Sequence, residues 1–302
     1  MDMTQNKCCR HGTNLRRRRR RRRKIRHSVI FLCSSIAVIV FVAVESRMIR
    51  SGDGRTNKYD VEAGNNTYDN AVIENSKISE KNKIQNNQSM LDDIMNSTQY
   101  PKQLKDLALK NEEALEFVYD YPAEHVKEHT IDLTEEASMD SVPLFVQWDK
   151  RWGCLAYGDD SNVAISGCGP TTLAMAVVAL TGNEEATPAA IAKFAMQEGY
   201  YMSGTGTMWS LMTEGAAAYG VRSEQINISQ IEIKQHLDQG DIVICSVRQG
   251  DFTTGGHFIL LYDYDDEGFS INDPFSLYRS GQKWDYGKIR SQIKAVWALK
   301  AK

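Results

Sequence analysis

Hydrophobic and polar positions follow different patterns along the chain and divide it into five segments. An uncharged run of seventeen residues, Ser28 to Val44, precedes a stretch rich in Asn, Ser, Lys, Asp and Glu. From Leu104 to Val118, apolar residues recur at a spacing of three and four, which predicts an amphipathic helix that Pro122 ends or closely follows. After residue 140, short apolar runs alternate with glycines and aromatic residues, as in a globular domain. We therefore place the segments at 1–27, 28–45, 46–99, 100–140 and 141–302.

The last segment changes its periodicity part-way along. Its first part contains helix-type apolar stretches at 170–180, 188–196, 207–219 and 231–237. Its second part contains β-type runs at 241–247, 258–264, 268–272 and 295–299. Helices followed by antiparallel strands predict an α+β fold for 141–302.

The uncharged run predicts a membrane segment. A helix of seventeen residues spans about 26 Å, the short end of a bilayer crossing. It follows eight consecutive arginines, Arg16 to Arg23, and basic residues stay on the cytoplasmic side. We therefore expect 1–27 to be a cytoplasmic tail, 28–45 a single-pass transmembrane signal anchor in the cell membrane, and the rest extracytoplasmic. The alternative is a cleaved signal peptide and secretion, although Val44-Glu45-Ser46 is a poor cleavage site.

Charge is distributed just as unevenly. The net charge is −3, yet residues 1–27 hold twelve Lys or Arg against one acidic residue, so the rest is acidic. An arginine run can bind nucleic acid, but a short cytoplasmic tail beside a membrane fits anionic lipid better. We therefore expect no nucleic-acid partner.

Two segments connect the membrane to the globular domain. The polar composition of 46–99 leaves little to bury and predicts a flexible, mostly disordered linker. Residues 100–140 are expected to form a helical arm that packs against the domain. A plain spacer helix, or a segment that covers the cleft and inhibits it, are the alternatives.

The chain has six cysteines, and three of them, Cys154, Cys168 and Cys245, lie in the part expected outside the membrane. Three is an odd number and too few for a disulfide scaffold, so at least one free thiol is expected. No pair has the spacing of metal ligands, and we predict neither a metal nor a cofactor.

Cys168 stands out among these thiols. It lies in Gly167-Cys168-Gly169-Pro170, at the start of an apolar helix. A helix N-terminus presents free N–H groups and the positive end of the dipole, which favours a thiolate. The flanking glycines would let a substrate backbone approach. The alternative is a small buried residue in a turn.

A thiolate nucleophile needs a base, and the base needs an orienting group. His257 opens a β-type run after two glycines, and Asp273 ends the next such run. Two adjacent antiparallel strands would bring these side chains together. The neighbouring Asn272 could take the orienting role instead.

Three further residues are assigned to the site. Gln147, upstream of the nucleophile, can donate its amide N–H to an oxyanion together with the Cys168 backbone N–H. Trp209, after a glycine-rich stretch, and Gly256, beside His257, are predicted to line the substrate cleft. A position in the core is the alternative for Trp209.

Residues 143–299 resemble the stand-alone branch of the bacterial cysteine peptidases of family thirty-nine. The matching pieces occur in order and read VPLFVQWDKRWG, SGCGPTTLAMAV, GTGTMWSLMTEG, GDFTTGGHFILL and INDP. The resemblance implies a papain-like fold. It implies Gln147 as oxyanion donor, Cys168 as nucleophile, His257 as base and Asp273 as its orienter.

The expected function is therefore membrane-anchored, extracytoplasmic cysteine-type hydrolysis of peptide bonds in a peptide or protein substrate. The namesake enzymes are fused to ABC exporters and trim bacteriocin leaders after a double glycine. This sequence contains no ATPase and no multi-span segment, which argues against leader processing. A cell-wall peptide hydrolase of the same fold and a non-catalytic peptide-binding surface module are the alternatives.

Overall fold

A computed structural model describes residues 66–159 and 161–302, with side-chain surroundings from residue 80 onward. The predicted cytoplasmic tail and membrane segment, 1–27 and 28–45, lie outside these residues. Among the described helices, none combines the length and apolar character that a membrane crossing requires. Residues Ser89–Lys302 form one compact unit, and Gln88 is the last residue of another.

The predicted flexible linker is partly wrong, because helix α1 runs from Asn66 to Asn96. Residues 80–86 on this helix are all exposed. Over 80–86 the polar composition correctly indicated that nothing is buried, but it did not exclude a solvated helix. The stretch contains neither Gly nor Pro, the two residues that interrupt a helix most strongly. Its last turns bury apolar side chains, and Ile94 is the most deeply buried of those described.

The arm contains four short helices instead of the single long helix that the sequence predicted. They are α2, Lys102–Lys110; a 3-10 helix, Glu112–Ala114; α3, Leu115–Glu124; and α4, Thr134–Ser138. The break falls at Asn111, whose extended backbone ends α2 and whose side chain accepts from the Glu113 N–H. Pro122 lies inside α3 and does not end it.

The arm packs against the globular domain through its apolar face. Leu104, Leu107 and Val118 are buried in one cluster with Ala164 of the domain, and Phe275 packs against this cluster. The predicted apolar spacing is thus confirmed. Helices α2 and α3 both contribute apolar residues to the cluster that contacts the domain.

The domain contains eight further helices. They are α5, Val163–Ser166; α6, Cys168–Thr181; α7, Pro188–Gln197; a 3-10 helix, Trp209–Met212; α8, Glu214–Ala218; α9, Gln230–Asp238; α10, Leu277–Ser280; and α11, Tyr286–Arg290. Every residue of α6 after Cys168 is buried, so this helix is the centre of the fold. The single helix predicted over 207–219 is wrong, because the backbone at Thr213 leaves the helical region and separates the 3-10 turn from α8.

The strands form a short hairpin and a six-stranded antiparallel sheet. The hairpin pairs β1, Tyr201–Met202, with β2, Gly206–Thr207. The sheet has the order β3-β8-β4-β5-β6-β7. Its strands are β3, Val221–Ile226; β4, Ile242–Val247; β5, His257–Tyr264; β6, Phe269–Asn272; β7, Lys283–Trp284; and β8, Ile293–Ala301. This mixed helix and antiparallel sheet architecture confirms the predicted α+β class.

The central strands are buried on both faces. On β4, Ile242 and Ile244 belong to the core cluster that contains α6. Val243 and Cys245 point to the opposite face and belong to the cluster of α9 and α11. Alternate burial of this kind follows from the two-residue period of a strand. The sheet thus holds α6 on one face, and β5 begins at the end of α6 that carries Cys168.

Candidate active site

Cys168 is the first residue of α6 and is half-buried. The glycines beside it are needed by the fold itself. A Cβ on Gly169 would lie 2.6 Å from the side chain of Thr207, and one on Gly167 would lie 2.5 Å from the carbonyl oxygen of Val163. These glycines therefore let the hairpin strand β2 and helix α5 pack closely around Cys168. This packing explains both glycines without a role in admitting a substrate backbone.

His257 lies between an acid and the thiol. Its Nε2 is 2.7 Å from Oδ1 of Asp273, and the two side chains are 6% and 0% exposed. Cys168 lies near this imidazole, since both residues line one cleft and Cys168 contributes to raising the pKa of His257. Because Asp273 engages Nε2, Nδ1 is the ring nitrogen that has no bond to the acid. The structure thus brings the three predicted residues together in the order Cys168, His257, Asp273.

Strand pairing explains how His257 and Asp273 meet. Strands β5 and β6 are antiparallel, with Leu260 opposite Asn272. His257 opens β5, and Asp273 directly follows the end of β6. The side chain of Asn272 donates to the carbonyl oxygen of Pro143 at 2.8 Å. Asp273 is therefore the residue that holds the imidazole in this structure, and Asn272 is engaged elsewhere.

A second cation, Arg279, binds the other oxygen of the same carboxylate. Its Nε donates to Oδ2 of Asp273 at 2.5 Å, while the Phe275 N–H donates to Oδ1 at 2.8 Å. No sequence pattern pointed to Arg279, which lies six residues after Asp273. The only signal in the sequence was the position of Arg279 shortly after Asp273. The short helix α10 directs the Arg279 side chain towards the Asp273 carboxylate.

These contacts set the ionisation of the buried pair. Burial alone would lower the pKa of His257, but the charge and hydrogen bond of Asp273, and contacts with Cys168, raise it to about 10. Burial would raise the pKa of Asp273, but the charges and hydrogen bonds of His257 and Arg279 hold it below its usual value. An imidazolium beside a carboxylate is therefore the favoured state at neutral pH.

Gln147 is buried at 1% exposure and is not among the residues that line the cleft over Cys168 and His257. Its Nε2 donates to the carbonyl oxygen of Ala164 at 2.7 Å, and its backbone N–H donates to the carbonyl oxygen of Pro274. Oε1 has no hydrogen-bond partner among the described residues. One of the two amide hydrogens is committed to Ala164, so only the other is available to a substrate. The oxyanion role stays a prediction.

A cleft of about 640 Å³ opens over Cys168 and His257. Helix α2 of the arm forms one wall, and the β1–β2 hairpin and the start of β5 form others. Trp209 and Gly256, both predicted to line the cleft, are among its residues. The arm contributes Gln103, Asp106, Leu107 and Lys110, and the domain also contributes Thr207, Phe275 and Lys294.

Residues 139–302 match the model of the Peptidase C39-like family. The chain belongs to this family. A solved structure described as a C39-like peptidase from Bacillus anthracis is 17% identical, covering 58% of this chain and 100% of that one, with a TM-score of 0.28. At that TM-score the likeness carries no argument about the fold. None of the curated proteins compared matches the chain. The expected resemblance is confirmed, and it covers the domain but not most of the arm.

Trp209 and Gly256 take different positions in the cleft of this C39-like domain. Trp209 is 41% exposed, stacks edge-on against the buried Trp297, and carries the ammonium group of Lys294 at 5.4 Å from its ring centroid. It therefore lies at the surface of the cleft and not in the core. A Cβ on Gly256 would meet no atom within 4 Å, so a side chain there would project into open space.

The other two thiols of the C39-like domain are set apart from Cys168. Burial raises the pKa of Cys154 to about 11 and that of Cys245 to about 12. Neither residue lines the cleft. Within the described part of the chain, the predicted nucleophile is thus the cysteine that combines access to a cleft with a histidine partner.

Proposed function

We propose that this chain is a cysteine peptidase that hydrolyses peptide bonds with Cys168 as nucleophile. Membership of the C39-like family supports a peptidase. The observation that carries the residue assignment is that His257 is bound to Asp273 at 2.7 Å and lines the same cleft as Cys168. A papain-like fold, implied by the resemblance of the sequence, is part of the same proposal.

The proposed reaction begins with attack of the Cys168 sulfur on the substrate carbonyl carbon. A C–S bond forms, and the carbonyl π electrons move to oxygen. The Cys168 backbone N–H, free at the first position of α6, and the uncommitted amide hydrogen of Gln147 stabilise that oxyanion. The imidazolium of His257 gives its proton to the leaving nitrogen as the C–N bond breaks.

Hydrolysis of the acyl-enzyme completes the cycle. The now neutral His257 takes a proton from water as its oxygen attacks the thioester carbon. Collapse of the second tetrahedral intermediate breaks the C–S bond, releases the carboxylic acid and restores the thiolate and imidazolium. Asp273 keeps its charge throughout and holds the ring, as an orienting acid does in other triads.

The proposed location is the outer face of the cell membrane. The uncharged run 28–44 after eight arginines supports an anchor over 28–45, with 1–27 in the cytoplasm. A peptide or protein is the expected substrate. The exposed ring of Trp209 in the cleft provides an apolar surface for such a substrate.

The test compares hydrolysis of a peptide library by the wild-type full chain and by Cys168→Ala, with Cys154→Ala as the matched control. We expect turnover to disappear in the first variant and to persist in the second. Retained hydrolysis in Cys168→Ala would refute the nucleophile. Cleavage of muropeptides but not of the library would identify a cell-wall peptide hydrolase, and no turnover on either would favour a peptide-binding module.

A further inference from the structure

The arm contacts the segment that carries the orienting acid, although most of the arm lies outside the family match. That match begins at residue 139, whereas helix α2 and the following 3-10 turn occupy 102–114. Their side chains reach residues 275–278, which lie 163 to 165 positions further along the chain. These contacts concern the proposed site, so a role for the arm in catalysis rests on the proposed function.

Glu113 makes the densest set of these contacts. Its carboxylate accepts from the Ser276 hydroxyl at 2.5 Å and from the Leu277 N–H at 2.6 Å. It also accepts from the Tyr278 N–H at 3.3 Å. The first N–H groups of a helix have no partner within the helix, and α10 begins at Leu277. A side chain of the arm therefore satisfies the first turn of α10.

Asn111 adds a second connection one residue earlier in that segment. Its Nδ2 donates to the carbonyl oxygen of Phe275 at 2.9 Å. The Phe275 side chain packs on the arm cluster and lies edge-on to the His257 ring, with centroids 6.3 Å apart. The arm thus touches a residue that itself touches the catalytic imidazole.

The segment held in this way determines where Asp273 points. Arg279, on α10, binds Oδ2 of Asp273, and its own N–H donates to Ser276 Oγ. The Ser280 hydroxyl oxygen accepts from the Asp273 N–H at 2.8 Å. Residues 273–280 therefore form one hydrogen-bonded turn. The Glu113 carboxylate binds the donors of this turn at residues 276–278.

We infer that Glu113 is a positioning residue, which holds α10 and so keeps Arg279 and Asp273 in place behind His257. The arm then supports catalysis. A spacer helix would leave the activity of the site unchanged, and an inhibitory segment would lower that activity, so both alternatives predict a different result when the contact is removed.

The main experiment measures hydrolysis by the full chain carrying Glu113→Ala, Glu113→Gln or the control Glu116→Gln. Glu116 is an exposed acid one helical turn away. Because small misplacements of a catalytic group are costly, we expect Glu113→Ala to lower kcat by about 10-fold to 100-fold with little change in KM. Glu113→Gln keeps one acceptor oxygen and is expected to retain more activity, and Glu116→Gln to match wild type.

A pH profile distinguishes positioning from a loss of folded protein. A displaced Asp273 would support the imidazolium less well, so the alkaline limb of kcat should move to lower pH in Glu113→Ala. Fewer folded molecules would lower the profile without moving it. Wild-type kcat in Glu113→Ala, or a higher one, would overturn the inference, as would a lower kcat with an unmoved limb.

If the wild type hydrolysed no substrate, the proposed function would be refuted. The positioning role of Glu113 could still be tested by a measurement that does not depend on activity. An NMR titration of the His257 ring nitrogens, assigned with His257→Gln, reports the pKa of the imidazole directly. We expect a lower pKa in Glu113→Ala than in wild type or Glu116→Gln. Equal values in all three proteins would contradict the positioning role.

Discussion

The His257–Asp273 pair and the arm differ in how their contacts arise from the sequence. His257 and Asp273 are sixteen residues apart and meet because two neighbouring antiparallel strands bring their ends together. Glu113 and Tyr278 are 165 residues apart and meet through a side chain on a turn. Strand pairing is predictable from hydrophobic periodicity, whereas a long-range contact from a polar side chain leaves no periodic signal. Hydrophobic periodicity therefore predicts how His257 and Asp273 meet but does not predict the contact of Glu113 with α10.

The largest expected effect separates the two neighbours at the end of β6. Removing the orienting carboxylate by Asp273→Asn should lower kcat by about 10³-fold to 10⁴-fold, as in comparable triads. Asn272→Ala removes the hydrogen bond to Pro143, which should cost about 1–3 kcal/mol of stability and leave kcat close to wild type.

Steady-state kinetics and urea unfolding of both variants measure this difference. If Asn272→Ala abolished turnover while its unfolding curve stayed normal, and Asp273→Asn remained active, the assignment of Asp273 would be wrong.

Sequence patterns predicted the central elements and missed the peripheral ones for a physical reason. The strands β4, β5, β6 and β8 are rich in buried apolar residues and were found. The edge strand β3 buries only Val221 fully and was missed, as was the two-residue edge strand β7. A strand at the edge of a sheet has a weak apolar pattern because it has little to bury.

Polar side chains account for the other differences. The helix break at Asn111 and the binding of Asp273 by Arg279 depend on single hydrogen bonds. Nothing in the spacing of apolar residues indicates such bonds. The same holds for α1, where a polar composition is compatible with either a helix or a disordered chain when Gly and Pro are absent.

A substitution in the arm core tests whether the arm belongs to the folded domain. Leu104 is 1% exposed, so Leu104→Ala should cost about 2–5 kcal/mol of unfolding free energy. Leu109 is 56% exposed in the same helix, and Leu109→Ala should change stability by about 0.5 kcal/mol or less. Urea unfolding followed by tryptophan fluorescence measures both, and equal small effects would identify a spacer helix.

The smallest effect is a pH dependence of stability that comes from the His257–Asp273 pair. The raised pKa of His257 stabilises the folded state below about pH 6.5, and this contribution is lost as pH rises towards about 10. The lowered pKa of Asp273 stabilises it above about pH 4, and this contribution is lost on further acidification.

Near pH 5 both the raised pKa of His257 and the lowered pKa of Asp273 stabilise the folded state fully. Asp273→Asn removes both contributions. The loss of unfolding free energy in that variant should therefore be larger near pH 5 than near pH 9, by on the order of 1 kcal/mol. Urea unfolding at the two pH values measures the difference. A loss that is larger near pH 9 would mean that the pair is not an imidazolium and a carboxylate.

The assignment of Cys168 as nucleophile is tested by labelling the full chain with a peptide-based thiol-reactive probe and locating the label by mass spectrometry. Among the three cysteines of residues 141–302, we expect a label on Cys168 and none on the half-buried Cys154 or the buried Cys245, and we expect this label to be lost in His257→Gln. Labelling of Cys154 in place of Cys168, or labelling of Cys168 at the same rate without His257, would contradict it.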